Sequence, residues 1–237
     1  MILEKGHKQI AVLIDPDKIS DDGLKPLSEN INHAKPDMIL IGGSTYAKSV
    51  KDIVIRLKQL TQIPILLFPG NNQQFCPNAD GILLLSLISG RNPDFLIGQH
   101  FESALEIKHS SIHVIPTGYI LIDGGKKSAV QTVSNTQPLP SDQPQLAIKT
   151  ALAGELLGMK VIYLEAGSGA LRPVPYETIL AVKREINIPL IVGGGIRNCK
   201  QINSALEAGA DIIVIGNHFE KKPDDMECFC NCVHNFQ

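Results

Sequence analysis

The chain has 237 residues, of which 43% are hydrophobic, and it contains no tryptophan. Its length fits a single α/β barrel, for which about 250 residues are typical. The formal net charge of −2 provides no basic surface for a polyanion, so we do not expect a nucleic-acid partner.

Targeting and membrane signals are weak in this sequence. The first nine residues, MILEKGHKQ, lack the apolar segment and the small-residue cleavage site of a signal peptide. The longest apolar run, near GILLLSLISG, is far shorter than the roughly 20 residues that a membrane-spanning helix needs. We therefore expect a cytoplasmic protein without a transmembrane segment.

Eight apolar runs recur along the chain, and we interpret each of them as a strand. The runs are continuous rather than alternating, which is typical of parallel strands that are covered on both faces. Their ranges are 9–15, 38–43, 64–69, 81–88, 113–122, 160–166, 189–195 and 211–217.

Segments with helical spacing of apolar residues follow most of these strands. The clearest ones are 49–60, 146–158, 176–186 and 200–209, the last of which ends at a glycine that favours helix termination. Alternation of strands and helices indicates parallel βα units, and eight such units favour closure into a barrel. The sequence therefore predicts one (β/α)8 TIM-barrel domain over residues 1–237.

Two stretches interrupt this pattern. Residues 70–80, GNNQQFCPNAD, contain too many turn-forming residues for a helix, so we predict that a loop replaces the third helix. Residues 132–144, TVSNTQPLPSDQP, predict an exposed loop after the fifth strand. Long loops of this kind often have a function.

Unusual residues cluster at the ends of five predicted strands. In barrels of this type the active site lies at the carboxyl ends of the strands, so we expect these segments to meet at one rim. They are DPDK at 15–18, GGST at 42–45, EAGSG at 165–169, GGGIR at 193–197 and GNHFEK at 216–221.

The glycines after the seventh and eighth strands predict a phosphate site. Glycine lets the backbone approach an anion with its N–H groups pointing inward, and barrels often bind phosphate at these two loops. The segments are 193–195 and 216–217. The alternative is that these glycines only form tight turns.

Asp15, at the end of the first strand, is a candidate ligand of Mg²⁺, which prefers carboxylate and hydroxyl oxygens. Ser44 or Thr45 after the second strand offers a further oxygen. In the alternative interpretation Asp17 caps a helix without any chemical role, and Ser44 or Thr45 caps the helix that runs from about residue 46 to 60.

Glu165 is a single acid in a glycine-rich turn after an apolar strand. At the rim of a barrel it is placed to accept hydrogen bonds from hydroxyl groups, while Gly167, Ser168 and Gly169 offer donors to a neighbouring anion. Such a pair of subsites fits a small polyol phosphate. The alternative is a solvated loop carboxylate. His218, which follows the eighth strand, is a weaker candidate for this site.

The cysteines admit two interpretations. Three of the five alternate near the C terminus in ECFCNC, and they suggest either a metal or redox site or a tail with reduced thiols. The spacing is not the C-x-x-C of common zinc motifs, so the sequence favours the reduced tail. The five are Cys76, Cys199, Cys228, Cys230 and Cys232.

Taken together, the segments LIDPDK, MILIGGST, YLEAGSGA, IVGGGIR and VIGN resemble geranylgeranylglyceryl phosphate synthases and the related heptaprenylglyceryl phosphate synthases. The resemblance extends from the first strand to the eighth, and YLEAGSG is its most specific part. It indicates the group shared by archaea and some bacteria. The family is described with a modified barrel whose third helix is a loop, in agreement with the interruption at 70–80.

This resemblance implies a prenyltransferase that joins sn-glycerol 1-phosphate to a long polyprenyl diphosphate, with geranylgeranyl diphosphate favoured, and releases diphosphate. It implies Mg²⁺ held by Asp15 and Ser44, and a catalytic Glu165. The lack of a DDxxD cluster favours a single metal ion. The implied substrate-binding residues are Tyr163, Leu164, Glu165, Ala166, Gly167, Ser168, Gly169, Gly194, Gly195, Gly216 and Asn217.

The resemblance also implies a homo-oligomer, either a dimer or a hexamer, and a transient contact with the membrane that receives the lipid product. The prenyl tail needs an apolar channel, for which strands four and five, including Tyr119 and Ile120, are candidates. Two other functions stay open at this point. They are an FMN-dependent oxidoreductase barrel and a barrel that binds phosphorylated ligands without turnover.

Overall fold

The fold is a closed barrel of eight parallel strands, in which β8 pairs with β1. The computed structural model describes residues 7–43 and 49–236. All eight predicted strands are confirmed, and each is shorter than predicted by one or more residues at its ends. Their bounds are β1 Gln9–Ile14, β2 Met38–Ile41, β3 Ile65–Leu67, β4 Gly81–Leu87, β5 His113–Leu121, β6 Val161–Glu165, β7 Leu190–Gly193 and β8 Ile212–Ile215.

Helices on the outside of the barrel connect most of the strands. The four helices predicted from apolar spacing are confirmed as α2, α5, α6 and α7, and a π-helical turn at Asp94–Gly98 leads into α3. The helices are α1 Leu24–Ala34, α2 Val50–Leu60, α3 Gln99–His109, α4 Ala129–Ser134, α5 Pro144–Leu156, α6 Tyr176–Glu185, α7 Cys199–Glu207, α8 Asn217–Lys221 and α9 Asp225–His234.

The connection between β3 and β4 is a loop with one short 3-10 turn at Asn72–Gln74, which confirms the predicted loss of the third helix. Gln74 holds this loop to the barrel because its buried amide accepts a hydrogen bond from Gly70 N–H at 2.8 Å. The same amide donates to the carbonyl of Gly43 at 3.1 Å. The loop is therefore fixed against the end of β2.

The predicted loop at 132–144 is only partly correct. Residues 132–134 complete α4, which Ser128 caps by accepting a hydrogen bond from Gln131 N–H at 3.1 Å. Pro144 begins α5, where a missing N–H costs nothing. In the segment between these helices Leu139 pairs with Ile122, and Thr136 is buried.

The two-residue period of the strands separates two apolar layers. Residues that point inward fill the barrel, and they include Leu40, Leu83, Tyr119, Tyr163 and Ile191. Residues that point outward pack under the helices in a larger cluster. A strand buried on both faces explains why the apolar runs of the sequence are continuous.

The C-terminal segment is a helix rather than the predicted tail with reduced thiols. Helix α9 packs against α1 and α7 and buries Phe229, Cys230 and Val233. Cys232 of α9 forms a disulfide with Cys199 of α7. The alternating cysteines concealed the helical period, because Met226, Phe229 and Val233 form the apolar face.

None of the described helices is both long enough and apolar enough to cross a membrane.

Candidate active site

Glu165, the last residue of β6, is the centre of the site. Its side chain points into the barrel beside Gly193 of β7 and Leu121 of β5, and the residue is 6% exposed. The Gly167 N–H donates a hydrogen bond to its Oε1 at 2.7 Å. Glu165 is therefore buried, and the alternative of a solvated loop carboxylate is wrong.

Burial raises the pKa of Glu165 from 4.5 to about 7, because a charged carboxylate loses water there. The hydrogen bond from Gly167 N–H and the nearby Tyr163 hydroxyl oppose this shift by favouring the ionised form. The side chain can therefore exchange a proton near neutral pH, as a general base must.

Tyr163 lies two residues before Glu165 and shares its inward direction. Burial raises the pKa of Tyr163 well above its usual value, and the charge of Glu165 adds to this effect. Although its hydroxyl lies near Glu165, it forms no hydrogen bond of good geometry within the described part of the chain. A buried hydroxyl in this state is available to a bound ligand.

Glycines at the end of β7 and in the loop after it make room for this acid. A methyl group on Gly193 would lie 2.5 Å from the Tyr163 hydroxyl and 2.8 Å from Glu165 Oε2. Gly194 has a φ of 82° and lies against Glu165 Oε1, while Gly195 packs against the backbone of residues 172–173. Gly193 belongs to the predicted phosphate segment 193–195, but its Cα faces Glu165, and a glycine at an inward-facing strand position is a sign of such an approach.

The loops after β6, β7 and β8 meet at one rim, as predicted. Ser168 Oγ donates to Asn217 Oδ1 at 2.9 Å, and Arg197 donates to the carbonyls of Ala170 and Leu171. No hydrogen bond among residues 7–43 and 49–236 uses the backbone N–H of Gly195 or Gly216.

Two of the predicted substrate-binding side chains point away from the inside of the barrel. Leu164 and Ala166 belong to the outer layer beneath the helices, because neighbouring residues of a strand face opposite sides. Only their backbone groups can face the site. Gly167 and Gly169 have positive φ angles of 100° and 72°, which suit the tight loop predicted there.

An apolar pocket opens beside this site. Tyr119 and Phe68 line it, and both rings contact Tyr163, with ring centres 5.2 and 5.5 Å away. The expectation that Tyr119 faces an apolar channel agrees with this placement. Ile120 points outward into the helix layer, so that candidate is wrong. Other lining residues are Phe75, Leu85, Leu87, Phe95 and Val130.

Asp15 lies at the rim beside the end of β2. Its Oδ1 accepts a hydrogen bond from Asp17 N–H at 3.2 Å, and its Oδ2 lies 3.3 Å from Lys18 Nζ. A methyl group on Gly43 would lie 2.8 Å from Asp15 Oδ1, so the carboxylate faces the residue before Ser44. Ser44 and Thr45 lie outside the described residues.

His218 does not line the site. Its Nε2 lies 2.6 Å from Asp225 Oδ2, and its ring stacks on Phe229 with ring centres 4.8 Å apart. It therefore packs between α8 and α9, away from Glu165.

Comparison with known proteins identifies relatives over almost the whole chain. A model described as the PcrB family matches residues 3–232. A geranylgeranylglyceryl phosphate synthase of Spirosoma linguale is 45% identical over 98% of this chain and 93% of its own length. One from the archaeon Korarchaeum cryptofilum is 40% identical over 91% of this chain and 88% of its own.

One similar solved structure contains a bound substrate. The (S)-3-O-geranylgeranylglyceryl phosphate synthase of Thermoplasma acidophilum, in complex with its substrate sn-glycerol-1-phosphate, superimposes with a TM-score of 0.91. The two chains are 29% identical, and the match covers 97% of this chain and 94% of the other.

Replacing Glu165 with glutamine is expected to change how stability depends on pH. Because the folded pKa of about 7 exceeds the reference value of 4.5, the stability linked to the proton is complete below pH 4.5 and is lost as pH rises through 7. Glutamine has no such dependence. Glu165→Gln should therefore gain stability over the parent protein between pH 5 and pH 8, by on the order of 3 kcal/mol.

Urea unfolding of both proteins at these two pH values measures the difference. Glu185→Gln, at an exposed position of α6, is the matched control and should follow the parent protein. Parallel pH dependence of Glu165→Gln and the parent would show that Glu165 titrates normally.

Proposed function

The chain belongs to the PcrB family, and we propose that it is a prenyltransferase that joins sn-glycerol 1-phosphate to geranylgeranyl diphosphate. The products are a prenylglyceryl phosphate ether and diphosphate. The observation that carries this proposal is the buried Glu165, which lies between a glycine-lined rim and an apolar pocket.

The polar substrate would bind across the loops after β6, β7 and β8. The phosphate fits at the N–H groups of Gly195 and Gly216, which no described residue engages. A glycerol hydroxyl would then reach Glu165, with Tyr163 as an additional hydrogen-bonding partner. The T. acidophilum relative in complex with the same compound supports this assignment.

The prenyl chain would occupy the apolar pocket. Its aromatic and aliphatic lining suits a hydrocarbon chain, and the hydrophobic effect provides roughly 25 cal/mol for each Å² that it removes from water. Phe68 and Tyr119 place the reactive end of the chain near Tyr163 and therefore near Glu165. Aromatic faces also stabilise positive charge that develops on the allylic carbon.

The reaction forms one bond and breaks another. The glycerol hydroxyl oxygen attacks the allylic carbon while the bond between that carbon and the diphosphate oxygen breaks, and the bonding electrons leave with diphosphate. Glu165 accepts the hydroxyl proton. Positioning of the two substrates and exclusion of water provide much of the rate enhancement.

Asp15 fits a role in holding Mg²⁺, since it offers one carboxylate at the rim beside Gly43. Ser44 follows Gly43 in sequence and would provide the hydroxyl oxygen. Mg²⁺ prefers such oxygens together with substrate phosphates, and when bound it would neutralise charge on the leaving diphosphate. Lys18, which pairs with both Asp15 and Glu220, would hold the carboxylate in place.

Neither the FMN-dependent oxidoreductase nor a non-catalytic barrel gains support from these relatives. The homo-oligomeric state, a dimer or hexamer, and the transient membrane contact stay predictions. Ile97, Phe101 and Leu105 form an exposed apolar stripe on the helical segment whose other face lines the pocket. Sedimentation velocity and vesicle flotation of an Ile97→Ser/Phe101→Ser/Leu105→Ser variant would distinguish a subunit contact from a lipid contact at this stripe.

Substitution of Glu165 tests the proposed reaction. Purified protein with labelled sn-glycerol 1-phosphate and geranylgeranyl diphosphate should transfer label into organic solvent. Glu165→Gln should lower kcat by about a hundredfold or more because the proton acceptor is lost. For the parent protein, kcat/KM should fall as pH decreases below about 7.

Glu185→Gln should retain full turnover and serves as the control. Turnover of Glu165→Gln equal to that of the parent would contradict the role of Glu165. A parent protein that forms no extractable product would contradict the proposed function itself.

Removal of Mg²⁺ tests the metal assignment. Chelation should abolish transfer, and added Mg²⁺ should restore it. Asp15→Asn should need a higher Mg²⁺ concentration for half-maximal turnover, because a neutral amide binds a hard cation less tightly than a carboxylate. Asp22→Asn, at an exposed position beyond the same strand, should not change the titration. Identical Mg²⁺ titrations of Asp15→Asn and the parent would contradict the assignment.

A further inference from the structure

Three cysteine sulfurs meet on the surface between α7 and α9. Cys199 is the first residue of α7, and Cys228 and Cys232 lie one turn apart on α9. All three sulfurs lie within 4.8 Å of one another. Cys199 and Cys232 form a disulfide, and the Cys228 sulfur lies 3.7 Å from that of Cys199.

The helical period of α9 determines which of its cysteines belong to this surface cluster. Residues 228 and 232 share a face of α9, whereas Cys230 points into the core and is buried. Cys76 is also buried, in the loop between β3 and β4. The alternating trio of the sequence is therefore not the cluster, because Cys199 from a distant part of the chain replaces Cys230.

The geometry of the cluster fits a thiolate metal site once the disulfide is reduced. Zinc–sulfur bonds of about 2.3 Å in a tetrahedral site separate neighbouring sulfurs by about 3.8 Å. The separation of Cys199 and Cys228 is 3.7 Å, close to this value. The position of Cys199 at the N-terminus of α7 also favours negative charge there.

We propose that the reduced protein binds one soft divalent ion of the zinc class through the thiolates of Cys199, Cys228 and Cys232. Three protein ligands leave a fourth position for water, so the ion is exchangeable. The disulfide and the ion exclude each other, because the bonded pair retains only one free thiol of the three. Both states connect α9 to the start of α7, four residues after Gly195.

Cobalt provides the test, because thiolate ligands give Co²⁺ intense charge-transfer absorption in the near ultraviolet. Full-length protein reduced with a phosphine and titrated with Co²⁺ should bind one equivalent with this absorption, and Zn²⁺ should displace it. Cys228→Ser should weaken both the absorption and the affinity for Co²⁺, because two thiolates remain instead of three, while leaving the disulfide-forming pair intact. Cys76→Ser and Cys230→Ser should retain it, and untreated oxidised protein should not show it.

The outcome that overturns the proposal is absorption of equal strength in Cys228→Ser, or in the Cys199→Ser/Cys228→Ser/Cys232→Ser variant. Failure of the reduced parent protein to bind Co²⁺ more tightly than the triple variant also overturns it. Circular dichroism verifies that each variant is folded. The test does not depend on prenyl transfer, so its result is separate from the proposed function.

Discussion

The burial of the Glu165 carboxylate is the constraint on which the site depends. Removing a carboxylate from water is costly unless hydrogen bonds compensate it, and among residues 7–43 and 49–236 only Gly167 N–H donates to it with good geometry. The barrel tolerates this cost because glycines on β7 and its loop leave space for the side chain. A carboxyl group whose pKa is about 7 is the consequence, and perturbed groups of this kind cluster at functional sites.

Because alternate residues of a strand face the same side, Glu165 shares the inside of the barrel with other side chains of the site. Tyr163 and Glu165 of β6 face inward beside Tyr119 of β5, and Tyr119 also lines the apolar pocket. The rim loops lie on the other side of Glu165, where Ser168 and Asn217 join two of them. A polar compound and a hydrocarbon chain can therefore approach the same carboxylate from opposite directions.

Most of the fold and the centre of the site could be predicted from the sequence, because continuous apolar runs and turn-rich interruptions are local signals. Contacts between distant segments could not be predicted, as shown by the hydrogen bond from the Gln74 amide to the Gly43 carbonyl and by the position of Cys199 beside Cys228. The outward direction of Leu164 does follow from alternation once Glu165 faces inward. Leu164 and Glu165 belong to one sequence motif and were both predicted to bind substrate, but neighbouring residues of a strand lie on opposite faces.

We propose that Glu165 and the glycine-lined rim bind one molecule of sn-glycerol 1-phosphate between them. A crystal structure of the protein soaked with this compound tests it most directly. We expect a glycerol hydroxyl within hydrogen-bonding distance of Glu165, and the phosphate at the N–H groups of Gly195 and Gly216. A molecule bound elsewhere, or with its phosphate against Glu165, would contradict the account.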